Sequence, residues 1–162
     1  MSNAKKTSRR AYWHTAPELP EEVLEVWRRA HRAISPVAIL ATVDPDGTPR
    51  TAPFGSLRAV TPRLLRLCSW QGHDTCANLR RDGRVSVCLV SPGLSVSVRG
   101  QARVAREHME HDEQFTVLEI DIEEVKNDMV YWITIDSAIT ISARDKYQPW
   151  YDGAMAELEA MG

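Results

Sequence analysis

Three consecutive stretches decide how this chain folds: Val37-Ala38-Ile39-Leu40-Ala41-Thr42-Val43, then Asp44-Pro45-Asp46-Gly47, then Thr48-Pro49-Arg50-Thr51-Ala52-Pro53-Phe54. The first is short, apolar and rich in β-branched residues, which suits a buried strand. The second is turn chemistry: aspartates that bond their own backbone, a proline with fixed φ, and a glycine free to take positive φ. The third returns as a second strand. A hairpin is the simplest account.

Working outward, the second strand extends over residues 49–60, with Gly55 as a bend. Leu64 to Trp70 is a third strand, reached through Thr61-Pro62. Asp74 to Asp82 reads as a short helix that Asp74 or Thr75 caps, Leu79 anchors and Gly83 ends. Strands follow at 84–90 and 94–105, separated by the Pro92-Gly93 turn. Residues 106–114 are charged and read as a short helix or loop, 117–122 alternate as a strand, and 131–142 supply one more strand or pair. Upstream, Pro20, Glu21 and Glu22 open a helix over about residues 20–35. Its stripe is Val23, Trp27, Ala30 and Ile34, with Arg28, Arg29 and Arg32 off it. Downstream, 149–161 form a helix with Trp150, Ala154 and Leu158 on one face. Short connections and alternating residues favour an antiparallel sheet over βαβ units. Closure of that sheet would remove its edges. The fold class expected is therefore mainly β, an antiparallel barrel over about 37–142 with flanking helices.

The 162 residues suit one domain, here 16–162 behind a disordered tail of residues 1–15. A formal net charge of -2 and a sequence pI near 6.2 argue against nucleic acid as a partner. No apolar run is long enough to span a bilayer, and the polar, basic start is not a secretory signal, so no membrane partner is expected. The cysteines, Cys68, Cys76 and Cys88, make neither a disulfide framework nor a zinc signature. A reducing, cytoplasmic compartment is the expectation.

Taken in order, Val37–Val43, Asp44–Gly47, Thr48–Pro53, Leu64–Ser69, Asn78–Val85, Leu94–Val104 and the run Leu118 to Val125 resemble the pyridoxamine 5'-phosphate oxidase-like split barrels. Each piece is degenerate alone; order and spacing carry the resemblance. It implies an FMN-binding homodimer, or one holding the related deazaflavin F420, with the cofactor at the subunit interface. On it, Arg50, Pro53, Phe54 and Gly55 would line the cofactor, and Cys68 and Ser69 would lie by the phosphoribityl tail. His73, Thr75 and Asn78 would complete the phosphate pocket, and Ser95 would approach from the partner strand region. Elementary chemistry agrees in part. Phosphate needs fixed donors, which a helix start, the Ser69 and Thr75 hydroxyls and the Arg50 fork offer. A flavin ring needs an apolar slot, which Pro53, Phe54 and Trp70 can form.

Two departures qualify the resemblance. Many relatives carry a basic triplet where this chain has His73-Asp74-Thr75, so a cation is lost and a carboxylate gained beside the expected phosphate. True pyridoxamine 5'-phosphate oxidases end in a Trp and an Arg-Leu-x-Pro-Arg segment; this chain runs Tyr147-Gln148-Pro149-Trp150-Tyr151-Asp152 into a helix. The functional expectation is a flavin-dependent oxidoreductase acting on a small organic substrate. The alternative is a non-catalytic protein that binds or senses a flavin, a deazaflavin or haem on the same scaffold.

Other constellations read more plainly. The histidines of Glu107-His108 and Glu110-His111 lack a nearby third ligand, so the metal expectation is none and the segment reads as a solvated connector. Cys76 with His73 has no orienting third group. Arg58, Arg63 and Arg66 read as polar faces of exposed strands. Arg50 is open between a phosphate ligand and a solvated strand position. Thr75 is open between a helix cap and a ligand contact.

Overall fold

The computed structural model describes residues 13–162. The expected tail therefore falls mostly outside the described residues. Trp13 to Thr15 do not behave as a tail: Trp13 Nε1 donates to Glu22 at 3.0 Å, and Thr15 pairs with Lys126.

The elements follow the chain as β1 (Thr15–Ala16), α1 (Glu21–Trp27), β2 (Ala38–Val43), β3 (Pro49–Phe54), β4 (Arg58–Thr61), β5 (Leu64–Trp70), α2 (Asp74–Arg81), β6 (Arg84–Ser91), β7 (Leu94–Arg106), β8 (Phe115–Asn127) and α3 (Gln148–Ala160). All pairings are antiparallel, in one sheet ordered β3-β2-β6-β7-β8-β5-β4, with β1 added beside β8. Phe54 from one end of that path and Leu65 from near the other share a single core with Leu40, Val87, Val98 and Ile120. A sheet whose two ends bury side chains together is curled on itself, so the architecture is the split barrel the sequence implied. The founding hairpin forms as read: the Gly47 N–H donates to the Asp44 carbonyl at 2.9 Å, with Gly47 at φ 87°.

Three expectations about the elements change. The first helix stops at Trp27, well short of residue 35. Ala30, assigned to its apolar stripe, is exposed, while Arg29 is buried in its place. Arg29 takes a left-handed backbone, φ 58°, which turns the chain and sends its guanidinium to the Leu57 carbonyl. Residues 131–142 form no strand. They run beside Ser35–Val37, where the Val37 N–H reaches the Ile139 carbonyl and the Ile141 N–H reaches Ser35 Oγ. Pro36 between those contacts has no N–H, so a ladder cannot continue there.

The third change concerns the outer face of β5 and β8. Leu65 and Leu67 point into the barrel, so Arg66 and Cys68 point out. That outer face is covered: α3 lays Ala154, Met155 and Leu158 against Cys68, Val117 and Met109. Arg66 is therefore 4% exposed and Arg58 3%, and of the three only Arg63, in the turn between β4 and β5, is solvated. Arg66 donates to Glu119 from Nε at 2.9 Å and Nη2 at 2.6 Å, and from Nη1 to the Leu158 carbonyl at 2.9 Å. Arg103 closes on the other Glu119 oxygen at 2.7 Å. The last turn of α3 has no basic residue of its own, so Arg66 supplies the cation its carbonyl end favours.

Removing one member of this buried pair leaves an uncompensated charge. Glu119→Ala is expected to destabilise the fold by about 3–5 kcal/mol, and replacing Arg66 and Glu119 together by leucine by clearly less. Urea unfolding of the single and double variants measures both; equal losses would show that the pair is not coupled.

Candidate functional site

A cleft of about 700 Å³ opens where the β3–β4 corner meets the ends of β5 and β8 and the start of α3. Its floor is Pro53, Phe54, Gly55, Ser56 and Cys68. Its walls are aromatic: Phe115, Tyr147, Trp150 and Tyr151. The Trp150 ring sits 4.6 Å from Phe115 and 5.1 Å from Tyr151, centroid to centroid, and its Nε1 donates to Asp112 at 2.9 Å. That bond fixes the indole at an angle across the cleft rather than leaving it to rotate.

The floor is built tightly. Ser56 Oγ donates to the Cys68 carbonyl at 3.0 Å and accepts the Cys68 N–H at 3.2 Å, which ties the corner to β5. A Cβ on Gly55 would lie 2.9 Å from the Ile34 carbonyl and 2.9 Å from Ile141 Cδ1. Gly55 therefore lets the strap that pairs residues 34–35 with 141 press directly on the floor. Loop 107–114 is clasped onto α3: Glu157 accepts the N–H groups of Glu110 and His111, both at 2.8 Å, and pairs with Arg106. The His111 ring fills the space at Gly153, where a Cβ would come within 2.2 Å of it.

Beyond Phe54 lies the expected phosphate corner. The His73 ring makes an edge contact with Phe54, centroids 5.6 Å apart. His73, rather than Asp74 or Thr75, caps α2: its Nδ1 accepts the Thr75 N–H at 3.1 Å. Thr75 is 1% exposed, so its hydroxyl points inward. The charged residue exposed in that first turn is Asp74. Arg50 is half exposed and already paired, its guanidinium holding both Asp44 oxygens at 2.8–2.9 Å, with Asp74 at 3.9 Å. Asn78 is buried and donates from Nδ2 to the same Asp44 at 2.9 Å and to Thr42 Oγ1 at 3.0 Å. Arg50 first, then Asn78, holds the Asp44 carboxyl below the usual carboxylate range.

The residues singled out from the sequence thus separate into three places. Pro53, Phe54, Gly55 and Cys68 share the cleft. Arg50, His73, Thr75 and Asn78 gather at the start of α2. Ser69 is buried between them, and Trp70 beside it is half exposed. Ser95 opens β7, three strands along the sheet from β3, and its carbonyl takes the Asp128 N–H at 2.7 Å. It joins neither group within one chain. Sequence reasoning missed Ser56, Asp112, Phe115, Tyr147 and Tyr151, and gave Trp150 only a docking role. The signal was the cluster Tyr147, Trp150, Tyr151, whose aromatic density exceeds what a docking stripe needs. The weighed alternatives also find other surroundings: His108 Nδ1 either accepts from Gln71 Nε2 or donates to the Glu113 carbonyl, according to its tautomer, and Cys76 is fully buried.

Burial pushes the Cys68 thiol up to about 11, with Ser56 opposing. Against the reference value of 9.0, its thiolate fraction at pH 8 is about 100-fold lower. Iodoacetamide at pH 8 should therefore leave native Cys68 unlabelled while modifying the same residue readily in urea, as peptide mass spectrometry reads out.

Known proteins share this architecture. The family model described as pyridoxamine 5'-phosphate oxidase matches residues 19–138. Among solved structures, a provisional pyridoxamine 5'-phosphate oxidase of Lactobacillus delbrueckii is 23% identical, with TM-score 0.58, covering 70% of this chain and 98% of its own. An F420 reductase is 17% identical with TM-score 0.53, over 67% of this chain and 98% of its own. An FMN-binding protein of Syntrophomonas wolfei is 17% identical with TM-score 0.52, over 67% and 88%. No curated protein sequence matches the chain.

Proposed function

The chain belongs to the pyridoxamine 5'-phosphate oxidase family, and from that premise we propose that it binds a flavin, FMN or the deazaflavin F420, and serves as an oxidoreductase for a small organic substrate. The observation that carries this reading is the aromatic cleft over the Pro53–Ser56 corner.

The ring end of such a cofactor suits the residues present. Planar aromatic walls over the Pro53–Phe54 floor are what an isoalloxazine needs. The phosphate end suits them less directly. The Arg50 fork is filled by Asp44, and Asp74 stands at the helix start where an anion would sit. A phosphate must displace or share the Asp44 carboxylate. Exposed ion pairs contribute only about 0.2–1 kcal/mol, so that exchange is small beside the gain from a dianion on the same fork. A bound flavin would supply the electron chemistry; the protein's part is to orient and shield it. Pro53, Phe54, Gly55 and Cys68 would hold the ring, Arg50 the phosphate, and Trp150 and Tyr151 would limit the room left for substrate. The missing Arg-Leu-x-Pro-Arg ending favours a substrate other than a pyridoxine phosphate.

FMN and riboflavin share the ring and differ in the phosphate, so comparing them isolates the Arg50 corner. Arg50→Ala should weaken FMN by about 1–3 kcal/mol and leave riboflavin nearly unchanged. Asp74→Asn should tighten FMN about 2–5-fold, since it removes a like charge at the helix start. Thr75, being buried, is not the position for an added lysine. Titration by flavin fluorescence measures each; equal effects on both ligands would misplace the phosphate. Failure of either ligand to bind would turn the reading to a non-catalytic role.

We also propose that the working unit is a homodimer. Tyr131 is 95% exposed and Trp132 70%, and Ile133, Ile139 and Ile141 are open as well. Large apolar side chains left open along one segment in this way mark an interaction surface. A second copy covering it would also bring its own Ser95 region toward a cleft, as the resemblance requires. Trp132→Lys should shift the mass in light scattering after gel filtration from dimer to monomer; an unchanged dimer would place the interface elsewhere.

A further inference from the structure

Residues 133–141 read Ile-Thr-Ile-Asp-Ser-Ala-Ile-Thr-Ile, the same from either end apart from Asp136 and Ala138. Alternating β-branched residues are strand material, yet this strap joins no ladder within the chain. No turn or bend interrupts residues 133–144. One edge of the strap is used. The Val37 N–H donates to the Ile139 carbonyl at 2.8 Å. Ser35 Oγ accepts the Ile141 N–H at 2.9 Å and donates to the Ile141 carbonyl at 3.0 Å. In extended chain, successive residues turn their N–H and C=O groups to opposite edges. Those of Thr134, Asp136, Ala138, Thr140 and Ser142 therefore face away from residues 35–37. None of them pairs with another backbone group among the described residues.

The strap also carries most of the open apolar surface. Of the eight large apolar side chains exposed among the described residues, five are Tyr131, Trp132, Ile133, Ile139 and Ile141. A free strand edge beside exposed isoleucines is a template for another strand. The palindrome says which strand. Turned by a two-fold axis through Ser137, the segment meets itself with like residues opposite. Ile133 faces the partner's Ile141, Thr134 the partner's Thr140, and Ile135 the partner's Ile139. Asp136 faces the partner's Ala138, so the two carboxylates are not opposed. The outward backbone groups belong to even-numbered residues, and this register sets even against even, so donors meet acceptors. Because residues 35–37 hold the other edge, pairing stops at two copies instead of running on into a fibre.

We propose that residues 133–141 of two copies pair as antiparallel strands about a two-fold axis at Ser137, and that each copy thereby completes the mouth of the other's cleft. The inference rests on the homodimer proposed above and not on the cofactor. Carried outward, the register sets the partner's Trp132 against Ser142 and the partner's Tyr131 against Ala143, large rings over small residues. Ser142 and Ala143 line the cleft, next to Arg144 and Tyr147. Within one chain, Tyr131 and Trp132 border a separate hollow and reach no part of that cleft. The partner's rings would narrow the entrance and screen the Pro53–Ser56 floor from water, a wall that one chain does not supply.

Ser137→Cys tests the register directly. Odd-numbered residues would form the close, non-hydrogen-bonded pairs, with Cα atoms about 4.5 Å apart and within disulfide reach. Thr140 would lie about 20 Å from the partner's Thr140, six residues along the strand. Mild oxidation should therefore bring Ser137→Cys to twice the chain mass on a non-reducing gel and leave Thr140→Cys and the wild type at the chain mass. If Ser137→Cys does not fold, amide exchange of the wild type decides. The Thr134, Ala138 and Thr140 N–H groups should be protected about 100-fold and lose that protection on dilution to the monomer. Absent or equal cross-linking of the two variants, or free exchange of those amides, overturns the ladder. Light scattering and flavin titration of the same preparations separate the readings. A monomer at every concentration removes the homodimer and the ladder together. A dimer without the Ser137→Cys cross-link removes the ladder alone. A cross-linked chain that binds no flavin supports the ladder and removes the cofactor.

Discussion

The structure depends on one buried ion pair. Arg66 and Glu119 lie opposite each other on β5 and β8, on the face of the sheet turned away from the barrel core. Such a pair is costly to desolvate and is sustained only when its remaining donors and acceptors are satisfied. Here they are: Arg66 spends a third bond on the Leu158 carbonyl, and Glu119 takes a second cation from Arg103. The consequence is positional. The fork of Arg66 fixes the far end of α3, and from there the helix runs back so that its first turn reaches the cleft.

Everything on that side of the molecule follows from the placement of α3. Met155 and Leu158 bury the outer face of β5 and β8, which makes Cys68 a floor residue with a raised thiol instead of an exposed one. Glu157 reaches across to the amides of loop 107–114, and Trp150 reaches the same loop through Asp112. The cleft is thus closed on one side by two elements that are distant in sequence and locked to each other by charge-assisted bonds. Side chains presented this way hold their geometry better than side chains on a free loop.

How much of this was legible depended on how local the determinant was. The hairpin at Asp44–Gly47 is written in turn residues and forms as read. The strand expected over 49–60 instead breaks after Phe54 into β3 and β4, which lie at opposite ends of the sheet order. Alternation misled at Arg58 and Arg66. Period two says which residues share a face; it does not say whether a distant helix covers that face. In α1, the spacing Val23, Trp27, Ala30, Ile34 was sound as a pattern, yet a buried arginine at position 29 overrode it. An apolar stripe cannot anticipate a guanidinium that finds carbonyls on another segment. At 131–142 the β-branched residues were present, but the neighbouring chain carries Pro36 and cannot extend a ladder. Of the candidate site, the Pro53–Gly55 corner and Cys68 came from a family-like run, whereas Phe115, Trp150 and Tyr151 meet only through the tertiary fold.

The phosphate corner is where resemblance and electrostatics pull apart, and the geometry explains how both can hold. Arg50 and Asn78 converge on a single anionic point, and Asp44 occupies it. Arg81 contributes to the same field. Two donors on one carboxylate, Arg50 and Asn78, with the Arg81 charge nearby, would suit a phosphate if the Asp44 side chain moved aside. Asp44 sits in the turn between β2 and β3, so a small rotation of one short side chain opens the point without moving either strand. On the proposed flavin reading, the carboxylate would compete with a ligand's phosphate, while the aromatic cleft would take its ring. Such a site would favour ligands that satisfy both ends together, and His73-Asp74-Thr75 in place of a basic triplet would raise the demand on the ring end.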